Sequence, residues 1–141
     1  NEVIQEAMTW KGTPFQHQQR LKGIAVDCAG LVEGTAVALK KVPEDYKFIT
    51  VYPREPDDTM RQILDKYLVS MAGALFPGCI MFFKFGRKKC MGQHLGILIN
   101  DEWFLHAYEP DGEVKLTRFT VRWQHRLVNT YRFKEAHEWQ G

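Results

Sequence analysis

Apolar residues in the first half of the chain recur at the spacing of an α-helix in three places. The first stripe ends before Gly12, the second follows Asp27, and the third lies between Asp57-Asp58 and Gly73. Aspartate before a stripe is a common helix N-cap and glycine after it a common stop, so the pattern predicts three amphipathic helices. The stripes consist of Val3, Ile4, Ala7 and Met8; of Leu31, Val32, Thr35, Ala36 and Leu39, running on to Lys40-Lys41; and of Met60, Ile63, Leu64, Tyr67, Leu68 and Met71.

The second half of the chain has a different pattern, with short β-branched or aromatic segments separated by turn residues. Such segments are typical of strands, and helices followed by strands indicate an α+β domain with N-terminal helices packed on a small antiparallel sheet. A length of 141 residues predicts a single domain over residues 1–141. The predicted strands are Cys79 to Phe85, His94 to Ile99, Trp103 to His106, Val114 to Leu116 and Leu127 to Phe133.

Two histidines lie on neighbouring predicted strands, and the loop between the strands decides whether they share a face. In an antiparallel hairpin the sequence numbers of opposed residues have a constant sum. A two-residue loop would place His94 and His106 on opposite faces, whereas a three-residue loop, Asn100 to Glu102, places them diagonally on the same face, with Gly96 leaving space between. Since only the second arrangement lets the two histidines act together, we predict a loop of odd length or a bulge there.

Cys28 lies at the predicted start of the second helix, directly after Asp27. The unpaired N–H groups and the positive end of the helix dipole favour a thiolate, so a lowered thiol pKa is expected there. With the three-residue loop, one imidazole is placed to serve Cys28 as general base while the other fixes its tautomer. The alternative is a small buried cysteine on a core helix, with structural histidines on the strands.

Composition and charge narrow the classes of function. The net charge is +2 and the basic residues are dispersed, apart from Arg87-Lys88-Lys89, which argues against a nucleic-acid partner. Three cysteines without a Cys-x-x-Cys pair do not form a disulfide framework. The longest apolar runs are far shorter than the roughly 20 residues of a membrane span. No secretory signal opens the sequence, and Asn1 in place of Met is consistent with a piece of a longer chain.

Cys90 is a second candidate nucleophile, because it follows the basic run 87–89 and stands four residues before His94. A loop cysteine without a catalytic role is the favoured interpretation, since no helix terminus is predicted there. Cys90 and His94 also have the spacing of one zinc-ligand pair, but no second pair completes four ligands. No metal is therefore expected.

Several motifs, taken together, resemble the NlpC/P60 family of papain-like cysteine peptidases, specifically the branch of bacteriophage tails and prophages. They cover nearly the whole chain, and the C-terminal ones look like the ending of the phage branch. The motifs are Trp10-Lys11-Gly12-Thr13-Pro14-Phe15, Val26-Asp27-Cys28-Ala29-Gly30-Leu31-Val32, Pro77-Gly78-Cys79, Gln93-His94-Leu95-Gly96-Ile97, Phe104-Leu105-His106-Ala107, Trp123-Gln124-His125-Arg126-Leu127 and Tyr131-Arg132-Phe133.

The resemblance implies a papain-like fold and a triad of Cys28, His94 and His106 that hydrolyses amides without a cofactor. The implied substrate is the stem peptide of peptidoglycan, typically cut between D-glutamate and a diamino acid. Asp27 matches the position expected to hold the free amine of the peptide. Phe15 and Ala29 occupy the substrate-binding positions where many members carry tyrosine and serine.

The resemblance also implies a setting and leaves alternatives open. It implies a chain made in the cytoplasm that acts in a virion tail or at the bacterial cell envelope, with other phage tail proteins as possible partners. An acyltransferase or amidase would use the same triad and differ only in the acyl acceptor. A tail-assembly or wall-binding module without turnover is the non-enzymatic alternative, motivated by Phe15 and Ala29.

Overall fold

A six-stranded antiparallel sheet, in the order β3-β8-β4-β5-β6-β7, forms the centre of the fold. The structure is a computed structural model, and it describes residues 1–46, 59–85 and 92–140. The helices are α1 (Glu2–Met8), α2 (Cys28–Ala38), α3 (Thr59–Tyr67) and α4 (Val121–Arg126), with 3-10 turns at Glu109–Asp111 and Ala136–Gln140. The strands are β1 (Arg20–Leu21), β2 (Ala25–Val26), β3 (Leu68–Ser70), β4 (Ile80–Lys84), β5 (Gly92–Leu98), β6 (Trp103–Tyr108), β7 (Glu113–Arg118) and β8 (Leu127–Phe133).

The sheet is buried on both faces because its central strands alternate between two apolar clusters. One face packs against α2, where Leu31 lies in the same buried cluster as Leu95 and Ile97 of β5. The opposite face packs against α4, whose Trp123 joins Phe83 and the rest of the second cluster. Since successive strand residues point to opposite faces, the even-numbered residues of β5 and β6 share the α4 side. The predicted α+β architecture is confirmed.

The hairpin of β5 and β6 has the predicted register. Ile97 pairs with Leu105 and Leu98 with Phe104, so the sum of paired numbers is 202. The N–H of Ile99 donates to the carbonyl of Trp103 at 2.9 Å, which closes the loop 100–102. The Asn100 side chain caps this loop, since its Oδ1 accepts from the backbone N–H groups of residues 102 and 103. The prediction of an odd loop is confirmed.

The third predicted helix is shorter than its apolar stripe indicates. It ends at Tyr67, and the next residues form β3, in which Leu68 pairs with Phe133 of β8. Leu68 was expected on the helix up to Met71, so that part of the prediction is wrong. Strand pairing satisfies the backbone of 68–70 and still buries Leu68, so tertiary pairing overrides the helical spacing. The predicted cap Asp57-Asp58 lies outside the described residues.

Candidate active site

Cys28 is the first residue of α2, and Asp27 before it is the N-cap. The Asp27 carboxylate is 2% exposed. Its Oδ1 accepts from the N–H of Gly30 at 2.8 Å, and its Oδ2 accepts from the N–H of Gln18 at 2.6 Å. Asp27 therefore fixes both the first turn of α2 and the loop before it, as the sequence predicts for a capping aspartate.

The N-terminal end of α2 meets strand β5 beside His94. The paired residues of β5 and β6 begin at Ile97 and Leu105, so the strands separate towards the start of β5. There Cys28 packs in the same buried cluster as Leu95, whose backbone N–H acts to lower the pKa of the Cys28 thiol. The nucleophile candidate thus contacts the residue directly after the general-base candidate, although 66 sequence positions lie between Cys28 and His94.

The two histidines are in direct contact. Nε2 of His94 lies 2.7 Å from Nδ1 of His106, and both side chains are buried, with 4% and 0% exposed. This is the diagonal same-face relation that the three-residue loop predicts. Because His94 uses Nε2 for this contact, its Nδ1 is the ring nitrogen left for a proton from a thiol.

A third polar residue follows the histidines and was not predicted. Nε2 of His106 lies 2.9 Å from Oγ1 of Thr117, on strand β7, and 3.9 Å from Oδ2 of Asp111. Phe104 pairs with Thr117 and His106 with Lys115, so Thr117 is diagonal to His106 on the same face. The strand predicted from the sequence, Val114 to Leu116, ends one residue before Thr117, and its pairing with the preceding strand was not predicted.

Aromatic rings enclose the two imidazoles. Tyr108 stacks on His106 with ring centres 5.1 Å apart and planes at 11°. The ring centres of Trp123 and His106 are 5.2 Å apart in an edge-to-face arrangement, and the ring centres of Phe85 and His94 are 5.4 Å apart. These rings exclude water from both histidines, which strengthens their mutual hydrogen bond and disfavours a charge on either.

The resting charge of Cys28 differs from the expectation. Burial, together with the negative charge of Asp27, raises the pKa of the Cys28 thiol to about 12. The backbone N–H groups of Cys28, Ala29 and Leu95 act in the opposite direction but do not outweigh these effects. The expectation of a lowered thiol pKa is therefore wrong for the ligand-free protein, since desolvation was not visible in the sequence.

Both histidines are also neutral in the ligand-free protein. Burial, and then the neighbouring His106 and Arg126, hold the pKa of His94 well below its usual range. Burial lowers the pKa of His106 to about 3. The site at neutral pH thus consists of a thiol and two uncharged imidazoles, not of a thiolate and an imidazolium.

The other predicted substrate-binding residues are Phe15, in the loop before α2, and Ala29, in the first turn of α2. Phe15 is half-buried and forms a parallel bridge with Val26 of β2. Ala29 is half-buried and lines an apolar cavity of about 60 Å³ that also contacts Leu95. The further lining residues are Val32, Glu33, Ala36, Val42, Tyr46, Met60, Ile63, Leu64, Tyr67, Leu68 and Phe133.

The remaining features to consider are the other two cysteines, a metal site and a membrane-spanning helix. Cys79 is fully buried, as expected, whereas Cys90 lies outside the described residues. In residues 1–46, 59–85 and 92–140, no group of three or more His, Cys, Asp or Glu side chains is arranged to hold a metal ion. None of the helices in these ranges has the length and apolar content needed to cross a bilayer.

Comparisons with known proteins agree on the fold. The chain is 28% identical over 121 residues to the Escherichia coli K12 protein named "Probable endopeptidase NlpC", which covers 84% of this chain and 68% of that protein. It superposes on the NlpC/p60 domain of the peptidoglycan hydrolase SagA with a TM-score of 0.61 at 18% identity, covering 94% of this chain and 98% of that one.

A longer solved protein has the same fold, a Staphylococcus aureus protein described as similar to lipoprotein, of the NLP/P60 family. Its TM-score is 0.66 at 17% identity, over 94% of this chain. The chain spans 40% of that protein's length. No protein-family model matches the sequence. These likenesses show that the chain has the papain-like fold of NlpC/P60 proteins.

Proposed function

We propose that this chain is a cysteine endopeptidase of the NlpC/P60 family that hydrolyses peptide bonds in the stem peptides of peptidoglycan. The observation that carries the proposal is the buried His94–His106 pair on β5 and β6, together with Cys28 at the start of a helix that packs against Leu95 of β5. Peptidoglycan as substrate is supported by the fold, which is also that of the peptidoglycan hydrolase SagA. The bond between D-glutamate and the diamino acid is proposed from the sequence resemblance.

In the proposed reaction Cys28 is the nucleophile and His94 the general base. The thiol transfers its proton to Nδ1 of His94 as the sulfur attacks the carbonyl carbon, because both groups start uncharged. The imidazolium then protonates the leaving amine and a thioester remains on Cys28. A water molecule that gives its proton to His94 hydrolyses the thioester and releases the acid. The N–H of Cys28 is a candidate donor to the oxyanion.

Asp27, Phe15 and Ala29 are proposed to contact the substrate next to the nucleophile. Asp27 is placed for this role because it directly precedes Cys28, and a carboxylate attracts the free amine of a stem peptide. Its two oxygens already accept backbone N–H groups, so an amine would join an existing network. Phe15 and Ala29 offer no hydroxyl, so contacts with the substrate at these two positions are apolar.

Acyl transfer to an acceptor other than water is the second candidate function. The apolar cavity beside Ala29 and Leu95 favours it, because an apolar acyl group or acceptor would replace water there. The thioester on Cys28 is common to both reactions. Added amines and alcohols therefore distinguish the two functions: a transferase forms conjugates where a peptidase forms only the free acid.

The biological setting is proposed from the sequence resemblance alone. The segments Trp123 to Leu127 and Tyr131 to Phe133 resemble the phage branch, which supports action in a virion tail, in contact with other tail proteins. Action at the bacterial envelope is the alternative. Antibody detection of the chain in purified virions, and in separated cytoplasmic and envelope fractions of the producing cell, tests both settings.

Mass spectrometry of digested peptidoglycan tests the activity. Purified peptidoglycan and soluble stem peptides are incubated with wild type, with Cys28→Ala and with the control Cys79→Ala, which removes a buried thiol just before β4, at the end of that strand away from the Phe83–His94 pair. We expect fragments ending at D-glutamate from wild type and the control only. Equal cleavage by Cys28→Ala would refute the nucleophile. Wall binding by an intact wild type without any fragments would instead support the non-enzymatic module.

A further inference from the structure

We propose that Thr117 is a positioning residue that supplies the acceptor for Nε2–H of His106 and thereby supports the tautomer of His94 that accepts a proton from Cys28. The inference rests on the proposed function, because it concerns the base of that reaction. It starts from the neutral state of both imidazoles, in which each ring carries one N–H and its position decides what the ring does.

The hydrogen bonds form one chain with only two consistent directions. Nε2 of His94 lies 2.7 Å from Nδ1 of His106, and Nε2 of His106 lies 2.9 Å from Oγ1 of Thr117. In the first direction, Nε2–H of His94 donates to His106, and Nε2–H of His106 donates to Thr117. In the second, the Thr117 hydroxyl donates to His106, whose Nδ1–H donates to His94.

Only the first direction gives a competent base. There Nδ1 of His94 carries a free lone pair and takes the proton of the Cys28 thiol, which leaves the sulfur with the electron pair that attacks the carbonyl. His94 becomes an imidazolium that still donates Nε2–H to His106, and His106 stays neutral. In the second direction Nδ1 of His94 already carries its proton, so it has no lone pair for the thiol proton.

The surroundings of His106 favour the first direction. The carboxylate of Asp111 lies 3.9 Å from Nε2 of His106, and a negative charge at that end favours a proton on that nitrogen. At the other end, the cation of Arg126 lies over the rings of Phe85 and Trp123 and helps to keep His94 uncharged at rest. The charge of Asp111 thus favours Nε2–H on His106, and Thr117 is the acceptor that keeps this buried N–H satisfied, so its removal leaves the first direction with an unpaired donor.

Imidazole ¹⁵N NMR and the alkylation rate of Cys28 test the proposal without peptidoglycan. Wild type, Thr117→Val and Thr117→Ser are compared, with alkylation at Cys28 followed by peptide mapping. In wild type and Thr117→Ser we expect protons on Nε2 of both His94 and His106. In Thr117→Val we expect mixed tautomers and alkylation at pH 7 slower by roughly tenfold to a hundredfold, a fraction of what a general base contributes.

Two results would overturn the proposal. One is an Nδ1–H on His106 in wild type, which decides the matter even where Thr117→Val does not fold. The other is a folded Thr117→Val with wild-type tautomers and a wild-type alkylation rate. Both readouts need no cell-wall substrate, so they remain valid where the peptidoglycan assay gives no fragments. A working peptidase with the wrong tautomer would refute this inference alone.

Discussion

Replacing Asp27 should lower the stability of the protein and, at the same time, increase the acidity of Cys28. The carboxylate makes two short backbone hydrogen bonds, to Gly30 and to Gln18, and its charge raises the pKa of the neighbouring thiol. Asp27→Asn keeps one acceptor oxygen at Gly30 but turns an amide N–H towards that of Gln18. Asp27→Ala removes both acceptors.

The magnitudes follow from these contacts. A hydrogen bond to a charged group contributes about 1.5–3 kcal/mol, so Asp27→Asn should cost roughly 2 kcal/mol of unfolding free energy and Asp27→Ala roughly 3–5 kcal/mol. Removing a neighbouring charge shifts a pKa by about one unit or more, so the thiol pKa should fall from about 12 by at least that amount in Asp27→Asn.

Urea unfolding and the pH dependence of Cys28 alkylation measure the two effects. Asp101→Asn is the matched control, because Asp101 is exposed in the loop at the other end of β5. It should change neither quantity. An unchanged thiol pKa in a folded Asp27→Asn protein would refute the electrostatic reasoning. Unchanged stability in Asp27→Ala would refute the assignment of the two hydrogen bonds.

The remaining predictions concern the buried histidines and the packing of α2. Because burial lowers the pKa values of His94 and His106 below the usual 6.5, the unfolded chain binds protons first, and stability should fall as pH falls below about 6.5. In denaturant titrations from pH 7 to 5, the unfolding free energy should fall by at most about 1.4 kcal/mol per pH unit for each ring. The control His125→Gln, at an exposed position, should leave this slope unchanged. An unfolding free energy that does not depend on pH would contradict the prediction. Gly34→Ala should lower the unfolding free energy by about 1–3 kcal/mol, because the new Cβ would lie 2.2 Å from the Trp10 ring. Thermal denaturation measures this change in the unfolding free energy. An increase of about 1 kcal/mol, the effect of helix propensity alone, would contradict the prediction and show that the Trp10 ring moves aside.

Several features of the fold and the site could be predicted from residues that are close together in the sequence. Strand parity predicted that His94 and His106 share a face if the loop between their strands is odd, and the structure confirms this pairing. The Asp27 cap and the start of α2 were likewise predictable, because both depend on neighbouring residues. These features have in common that short sequence separations determine them.

Other features depend on distant partners and were missed. Leu68 has helical spacing but pairs with Phe133, 65 positions away, and no local signal predicts that competition. Helix α4 has a cap at Thr120 but only six residues, too few for a clear stripe. The thiol pKa depends on burial at a helix end, which only the packing of α2 on β5 determines.

The central claim is that Cys28 forms a thioester with the acyl part of a stem peptide. Its most direct test is rapid acid quenching of the wild-type reaction, followed by peptide mapping of the protein by mass spectrometry. We expect an adduct with the mass of the acyl fragment on the peptide that contains Cys28, and no adduct in Cys28→Ala. Cleavage of the stem peptide with the adduct on Cys90, or cleavage that Cys28→Ala retains, would contradict it.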